Sequence, residues 1–179
     1  NTRAILDMTA QFDFYHGGGL DVCYLSFAEV DKEGNVNVHK FNGKIMGTGG
    51  FIDISATSKK IVFCGTLTAG GLRTEVGDGK LTITQEGRVT KFVDHLPEIT
   101  FSGKVALERG LDVRYVTERA VFTLKADGLH LVEVAPGVDI ERDIVAKMGF
   151  KPVIDKDLKQ MDACIFTDAV MGFKLPDAE

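Results

Sequence analysis

Apolar residues along the chain gather in short blocks separated by glycine-rich loops rather than in long helical stripes. The run Leu20 to Val30 is almost continuously apolar, which predicts a strand covered on both faces. Asp31-Lys32-Glu33-Gly34-Asn35 then supplies a turn, and Val36-Asn37-Val38-His39 alternates with period two, as a strand with one wet face does. Lys59 to Thr66 reads as another short buried strand, preceded by small residues from Ser55 to Ser58 that can close a short helix. Leu81-Thr82-Ile83-Thr84 alternates cleanly after Gly77-Asp78-Gly79, and Ala120 to Leu124 and Leu129 to Val134 form a hairpin through Asp127-Gly128. The best helical pattern lies at 140–148, where Ile140, Ile144, Val145 and Met148 share a face, Asp139 is an N-cap and Gly149 a stop, with Pro152 just beyond. Together these predict an α/β fold with a mixed, mainly parallel central sheet and antiparallel hairpin additions.

The 179 residues suffice for one domain with a real core. Twenty glycines against four prolines is the unusual feature, and the glycines cluster at 17–19, 43–50 and 65–71. Lys plus Arg is 21 and Asp plus Glu 26, a formal net charge of −5, which argues against a nucleic-acid partner. Apolar runs fall well short of the ~20 residues a membrane helix needs, so no membrane partner is expected. Cys23, Cys64 and Cys164 are widely spaced and in apolar settings, which predicts buried reduced thiols and a cytoplasmic location.

Several chemistries lack their residues. Each Gly-Lys pair, at 43–44, 79–80 and 103–104, is followed by an aliphatic residue where a phosphate-binding loop needs Ser or Thr. Gly47-Thr48-Gly49-Gly50-Phe51-Ile52 ends in isoleucine where a dinucleotide fingerprint needs glycine or alanine. His16, His39, His95 and His130 show no metal-ligand spacing, so no metal is expected, and no serine or cysteine sits in an activating context. What remains is unshielded backbone N–H in glycine loops, suited to an oxyanion or a thioester carbonyl, with simple tight turns as the competing explanation.

Phe12-Asp13-Phe14-Tyr15-His16-Gly17-Gly18-Gly19-Leu20-Asp21, Gly47-Thr48-Gly49-Gly50-Phe51-Ile52-Asp53, Thr117-Glu118-Arg119-Ala120, Ala135-Pro136-Gly137 and Met161-Asp162-Ala163 follow one another in an order that resembles the C-terminal half of a family I coenzyme A transferase. The resemblance spans about residues 1–172, with 173–179 left as a tail, and is strongest to single-chain enzymes that act on acetate, propionate and other short-chain acids. His16 departs from it, since an acidic residue is expected there.

The resemblance implies CoA exchange between carboxylic acids by covalent catalysis. A glutamate attacks the acyl-CoA thioester, giving an acyl-glutamyl anhydride and then a glutamyl-CoA thioester, and backbone donors hold each oxyanion. It places that glutamate in a Glu-x-Gly loop upstream of the segment like Asn1 to Asp7, so the nucleophile is expected outside this chain and the chain alone is expected to be inactive. Gly49 and Gly50 are the expected oxyanion donors, with Gly47 and Phe51 shaping the acyl and pantetheine channel and Lys44 expected to meet the CoA phosphates or the acidic substrate. Expected partners are acyl-CoA, small carboxylic acids, an N-terminal CoA-transferase domain and further copies in a homo-oligomer. No tightly bound cofactor is implied, coenzyme A being a substrate. Acyl-CoA hydrolysis on the same fold and a non-catalytic binding or assembly module are the competing functions.

Overall fold

The computed structural model describes residues 2–41 and 43–172, so the tail at 173–179 lies outside the described residues. Its centre is a six-stranded sheet whose spatial order follows the chain. The strands are β1 (Val22–Ser26), β2 (Lys60–Cys64), β3 (Asp112–Val116), β4 (Ala120–Lys125), β5 (Gly128–Val134) and β6 (Val153–Gln160). β1 with β2, β2 with β3, and β5 with β6 pair in parallel, while β3, β4 and β5 form an antiparallel meander, so the sheet is mixed with parallel pairing in the majority.

One face of the parallel half carries the core. Cys23, Ile61, Phe63, Val113 and Tyr115 alternate inward at matched register. Phe63 is its hub, stacked on Tyr115 at 5.3 Å and on Phe51 at 5.8 Å and meeting Phe101 edge-on at 5.1 Å. The Tyr115 hydroxyl donates to the Gly34 carbonyl, and burial pushes its pKa far up, which keeps it a neutral donor.

Helices α1 (Met8–His16), α2 (Phe51–Thr57) and α3 (Gly103–Glu108) lie around the sheet. Asp7 caps α1, its Oδ1 accepting from Ala10 N–H at 2.9 Å. Helix α1 packs on α2, where Thr57 Oγ1 donates to the Tyr15 carbonyl at 2.6 Å. The Gly103 N–H that opens α3 donates to buried Asn35 Oδ1 at 2.9 Å.

The hairpin through Asp127-Gly128 and the strand ending at Cys64 stand where the pattern puts them. Four expectations are corrected. The run Leu20 to Val30 splits, because only residues 22–26 join the central sheet, whereas Glu29–Asp31 pairs with Val36–Asn37 and Phe92–Val93 in a smaller sheet. It is also not covered on both faces: β1 is an edge strand, and Tyr24, aligned with Val62 and Arg114, is 71% exposed. Val36–Asn37 has no wet face, since Asn37 is buried with its Nδ2 donating to Glu29 and to the Lys40 carbonyl, both at 2.8 Å. The segment 140–148 is not one α-helix but a wide π-type turn at Ile140–Ile144 followed by a single 3-10 turn at Val145–Lys147. Asp139 is indeed its cap, but Asp143 is tied back to the Asp139 N–H at 2.9 Å, and its partner Arg119 reaches the Asp143 carbonyl, which takes that turn out of α geometry.

Candidate functional site: the glycine loop at the strand ends

Parallel strands present their carboxyl ends to ligands in α/β sheets. At the end of β1, Ser26, Phe27 and Ala28 join Val38, Gly47, Thr48 and Phe51 around a cleft of about 340 Å³. The loop 46–50 enters α2 through two residues in the left-handed region, Gly47 at φ 81° and Gly49 at φ 53°, and an added Cβ on either would meet nothing within 4 Å. These glycines answer a backbone requirement and leave open space beside the main chain. Gly50 differs, with ordinary φ but a Cβ position only 2.6 Å from the Phe12 ring of α1.

Among the described residues, hydrogen bonding in the loop leaves the N–H groups of Gly47, Thr48, Gly49 and Gly50 over. Phe51 N–H donates to the Thr48 carbonyl at 3.1 Å and Ile54 N–H to the Gly50 carbonyl at 3.0 Å. Among the described residues, no acceptor meets the N–H of Gly49 or Gly50. Two adjacent free amides next to a cleft suit an oxyanion, which gains more from fixed dipoles than from reorganising water.

Of the sequence-predicted residues, Gly47 and Phe51 line the cleft, whereas Gly49 and Gly50 lie between them in the chain and are not part of its lining. The Phe51 ring is only 7% exposed and stacked on Phe63, so it acts as floor. Lys44 is exposed in a two-residue strand, Lys44–Ile45, outside the cleft. Gly17, Gly18 and Gly19 terminate α1, with Gly17 N–H on the Asp13 carbonyl at 2.8 Å and Gly19 against the Phe14 ring, as turn residues. His16 lies 3.7 Å from Asp53, so an acidic residue there would oppose a like charge.

The two Glu-Gly pairs serve the fold. Glu33 is in the turn organised by Asp31. Glu86 holds buried Arg119 in a fork, at 2.8 and 3.1 Å, and also accepts from Thr68 and from Gly87 N–H. Burial pushes the Glu86 pKa up, but these donors outweigh it and bring it to about 2, so the carboxylate is committed to Arg119 and the fold. Glu118 also pairs with Arg119, and Glu86 joins it from 33 residues away. The cysteines are corrected too: Cys23 is buried, but Cys64 at the end of β2 is exposed and Cys164 half-buried. Sequence reasoning missed Lys91, which is buried over the Phe27 ring that walls the cleft. Its setting between Thr90 and Phe92 carries no motif.

A larger cavity, about 680 Å³, opens at the opposite end of the sheet among Lys32, Lys104, Lys125 and Lys151, above Leu129 and Phe150. None of the predicted residues lines it. Among the described residues, no helix is long and apolar enough to cross a membrane.

No family model matches the chain. It is 79% identical over 178 residues to acetate CoA-transferase YdiF of Escherichia coli O157:H7, covering 99% of this chain and 34% of that protein. Over nearly its whole length the chain is similar in sequence to one segment of that CoA-transferase. Caffeate CoA-transferase of Acetobacterium woodii is 42% identical, with 96% of this chain and 35% of that protein covered. The crystal structure of the E. coli O157:H7 YdiF thioester complex with CoA superposes with a TM-score of 0.96, covering 99% of this chain and 35% of that one. The chain thus spans about a third of the length of these two CoA-transferases.

Proposed function

We propose that the chain forms the beta-type portion of an acyl-CoA:carboxylate CoA-transferase acting on short-chain acids, with the nucleophilic glutamate supplied from outside these 179 residues. The observation that carries this is the pair of free amides at Gly49 and Gly50 beside a cleft at the strand ends, in a chain 79% identical to an acetate CoA-transferase.

The glutamate carboxylate attacks the thioester carbonyl of acyl-CoA. The C–S bond breaks, CoA leaves as thiolate and an acyl-glutamyl anhydride remains. The thiolate then attacks the glutamyl carbonyl, releasing the first acid and leaving a glutamyl-CoA thioester. The second acid reverses the two steps and departs as its CoA ester. Each addition puts negative charge on a carbonyl oxygen, and the N–H groups of Gly49 and Gly50 receive it. Gly47 and Phe51 shape the channel for the acyl and pantetheine groups, and Lys44 stands outside it, reaching the CoA phosphates only as a solvated charge.

Exchange from acetyl- or propionyl-CoA into a second acid tests this reading. The isolated chain is expected to be inactive, and assembly with the complementary two-thirds of its relatives' length is expected to give transfer. Robust turnover by the isolated chain would refute it, and CoA release that ignores the acceptor acid would replace transfer by hydrolysis. Gly50→Val in the assembled enzyme drives a side chain into Phe12 and shifts the loop, so turnover should fall about 100-fold or more; unchanged kinetics would remove the loop from the site.

A further inference from the structure

Lys91 is only 8% exposed, and its Nζ stands 4.0 Å from the centroid of the Phe27 ring. The same Nζ lies 2.9 Å from where a Cβ on Gly65 would be. Phe27 directly follows β1 and Gly65 directly follows β2, so the ammonium sits between the carboxyl ends of two parallel strands, at the end of the sheet that carries the glycine-loop cleft. Gly65 is required there, because any side chain would displace the ammonium.

Among the described residues, no carboxylate, carbonyl or hydroxyl accepts from Lys91 Nζ. Glu118 is the one acid whose charge acts on it, and that carboxylate is already bound to the Leu67 N–H at 2.9 Å and to Arg119 Nε. Burial pushes the Lys91 pKa down, and Glu118 restores only part of it. The π face of Phe27 offsets only a fraction of what it costs to desolvate an ammonium. A methionine would fill the same space without that cost. The charge is therefore a cost to the fold that an anion from outside would reduce.

We propose that Lys91 is the anchor for the carboxylate of the small acid substrate, holding it by a charge-assisted hydrogen bond at the ends of β1 and β2. This rests on the CoA-transfer reading above. Lys91 binds and orients; it forms no covalent bond. A single point charge suits a small carboxylate better than a diphosphate, which is normally ringed by several cations and amides. The phosphates of CoA are the other source of the same anionic chemistry, and the test separates them.

The test is steady-state kinetics of the assembled enzyme carrying Lys91→Met and, separately, Lys91→Arg, with acetate and acetyl- or propionyl-CoA varied in turn, alongside thermal unfolding. Lys91→Met should raise KM for the acid by about 10- to 100-fold, leave KM for acyl-CoA unchanged and leave Tm equal or higher. Lys91→Arg should recover part of the loss. An unchanged acid KM overturns the proposal, as does a rise confined to the acyl-CoA KM, which would assign the charge to a CoA phosphate. A variant that unfolds or melts much lower also overturns it, because the charge would then belong to the fold. If the unsubstituted enzyme shows no acid-dependent transfer at all, it is the CoA-transfer reading that fails.

Discussion

Glu86→Gln isolates the internal network that ties the 86–91 segment to the central sheet. Arg119 is fully buried and Glu86 is its only forked partner among the described residues. Glutamine keeps one acceptor for Thr68 and Gly87, but turns an NH2 toward the guanidinium, so one charge-assisted contact becomes a donor facing a donor. With Glu118 still in place, the loss should be about 2–3 kcal/mol rather than the full cost of stranding a buried charge. At roughly 2–4 °C per kcal/mol for a chain of this size, Tm should fall by about 4–12 °C at pH 7. The pH dependence is the sharper part. The Glu86 pKa drops from 4.5 to about 2 on folding, which contributes about 3 kcal/mol of linked stability at neutral pH. Because the folded value is the lower one, this stability is complete above pH ~5 and is lost as pH falls through 4.5 toward 2. Urea or thermal unfolding followed by circular dichroism at pH 7, 5, 4 and 3 should show the gap between wild type and variant closing with acidity. Taking the difference cancels the other depressed carboxylates, such as Asp155. A gap that is absent at pH 7, or that stays constant down to pH 3, would refute the reasoning.

Two further predictions concern local geometry. Gly103→Ala places a Cβ 2.1 Å from the Glu33 carbonyl oxygen and endangers the bond to Asn35, so it should cost about 3 kcal/mol or more, whereas Gly110→Ala, in open space at φ 68°, should cost only ~1 kcal/mol by chemical denaturation; equal losses would contradict this. Iodoacetamide at pH 7 should modify Cys64 well before Cys23 by mass spectrometry, because Cys64 is exposed while Cys23 is buried; the reverse order would contradict the placement of β1 and β2.

What the sequence reveals here is what local chemistry decides. The 120–134 hairpin is legible because alternation and Asp127-Gly128 suffice to make it, and the glycine loop is legible because left-handed φ at 47 and 49 demands glycine. The division of Leu20 to Val30 is not, since Phe27 and Val30 are as apolar as Cys23 and only pairing with Phe92–Val93 and Val36–Asn37 directs 29–31 to another sheet. The 140–148 segment keeps a helical pattern, yet a tertiary bond from Arg119 to the Asp143 carbonyl and the local bond from Asp139 N–H to the Asp143 carboxylate override it. Buried Asn37 fills its needs with contacts that alternation cannot signal. At the site, the loop is visible in the chain, but the free amides of Gly49 and Gly50 and the lone ammonium of Lys91 emerge only once distant strands meet.

The most direct measurement is to incubate the assembled enzyme with acetyl-CoA in the absence of acceptor acid, digest it, and locate any CoA-bearing peptide by mass spectrometry. The adduct should fall on a glutamate outside residues 1–179 and should diminish with Gly50→Val. A CoA thioester on a side chain within these residues would contradict the account.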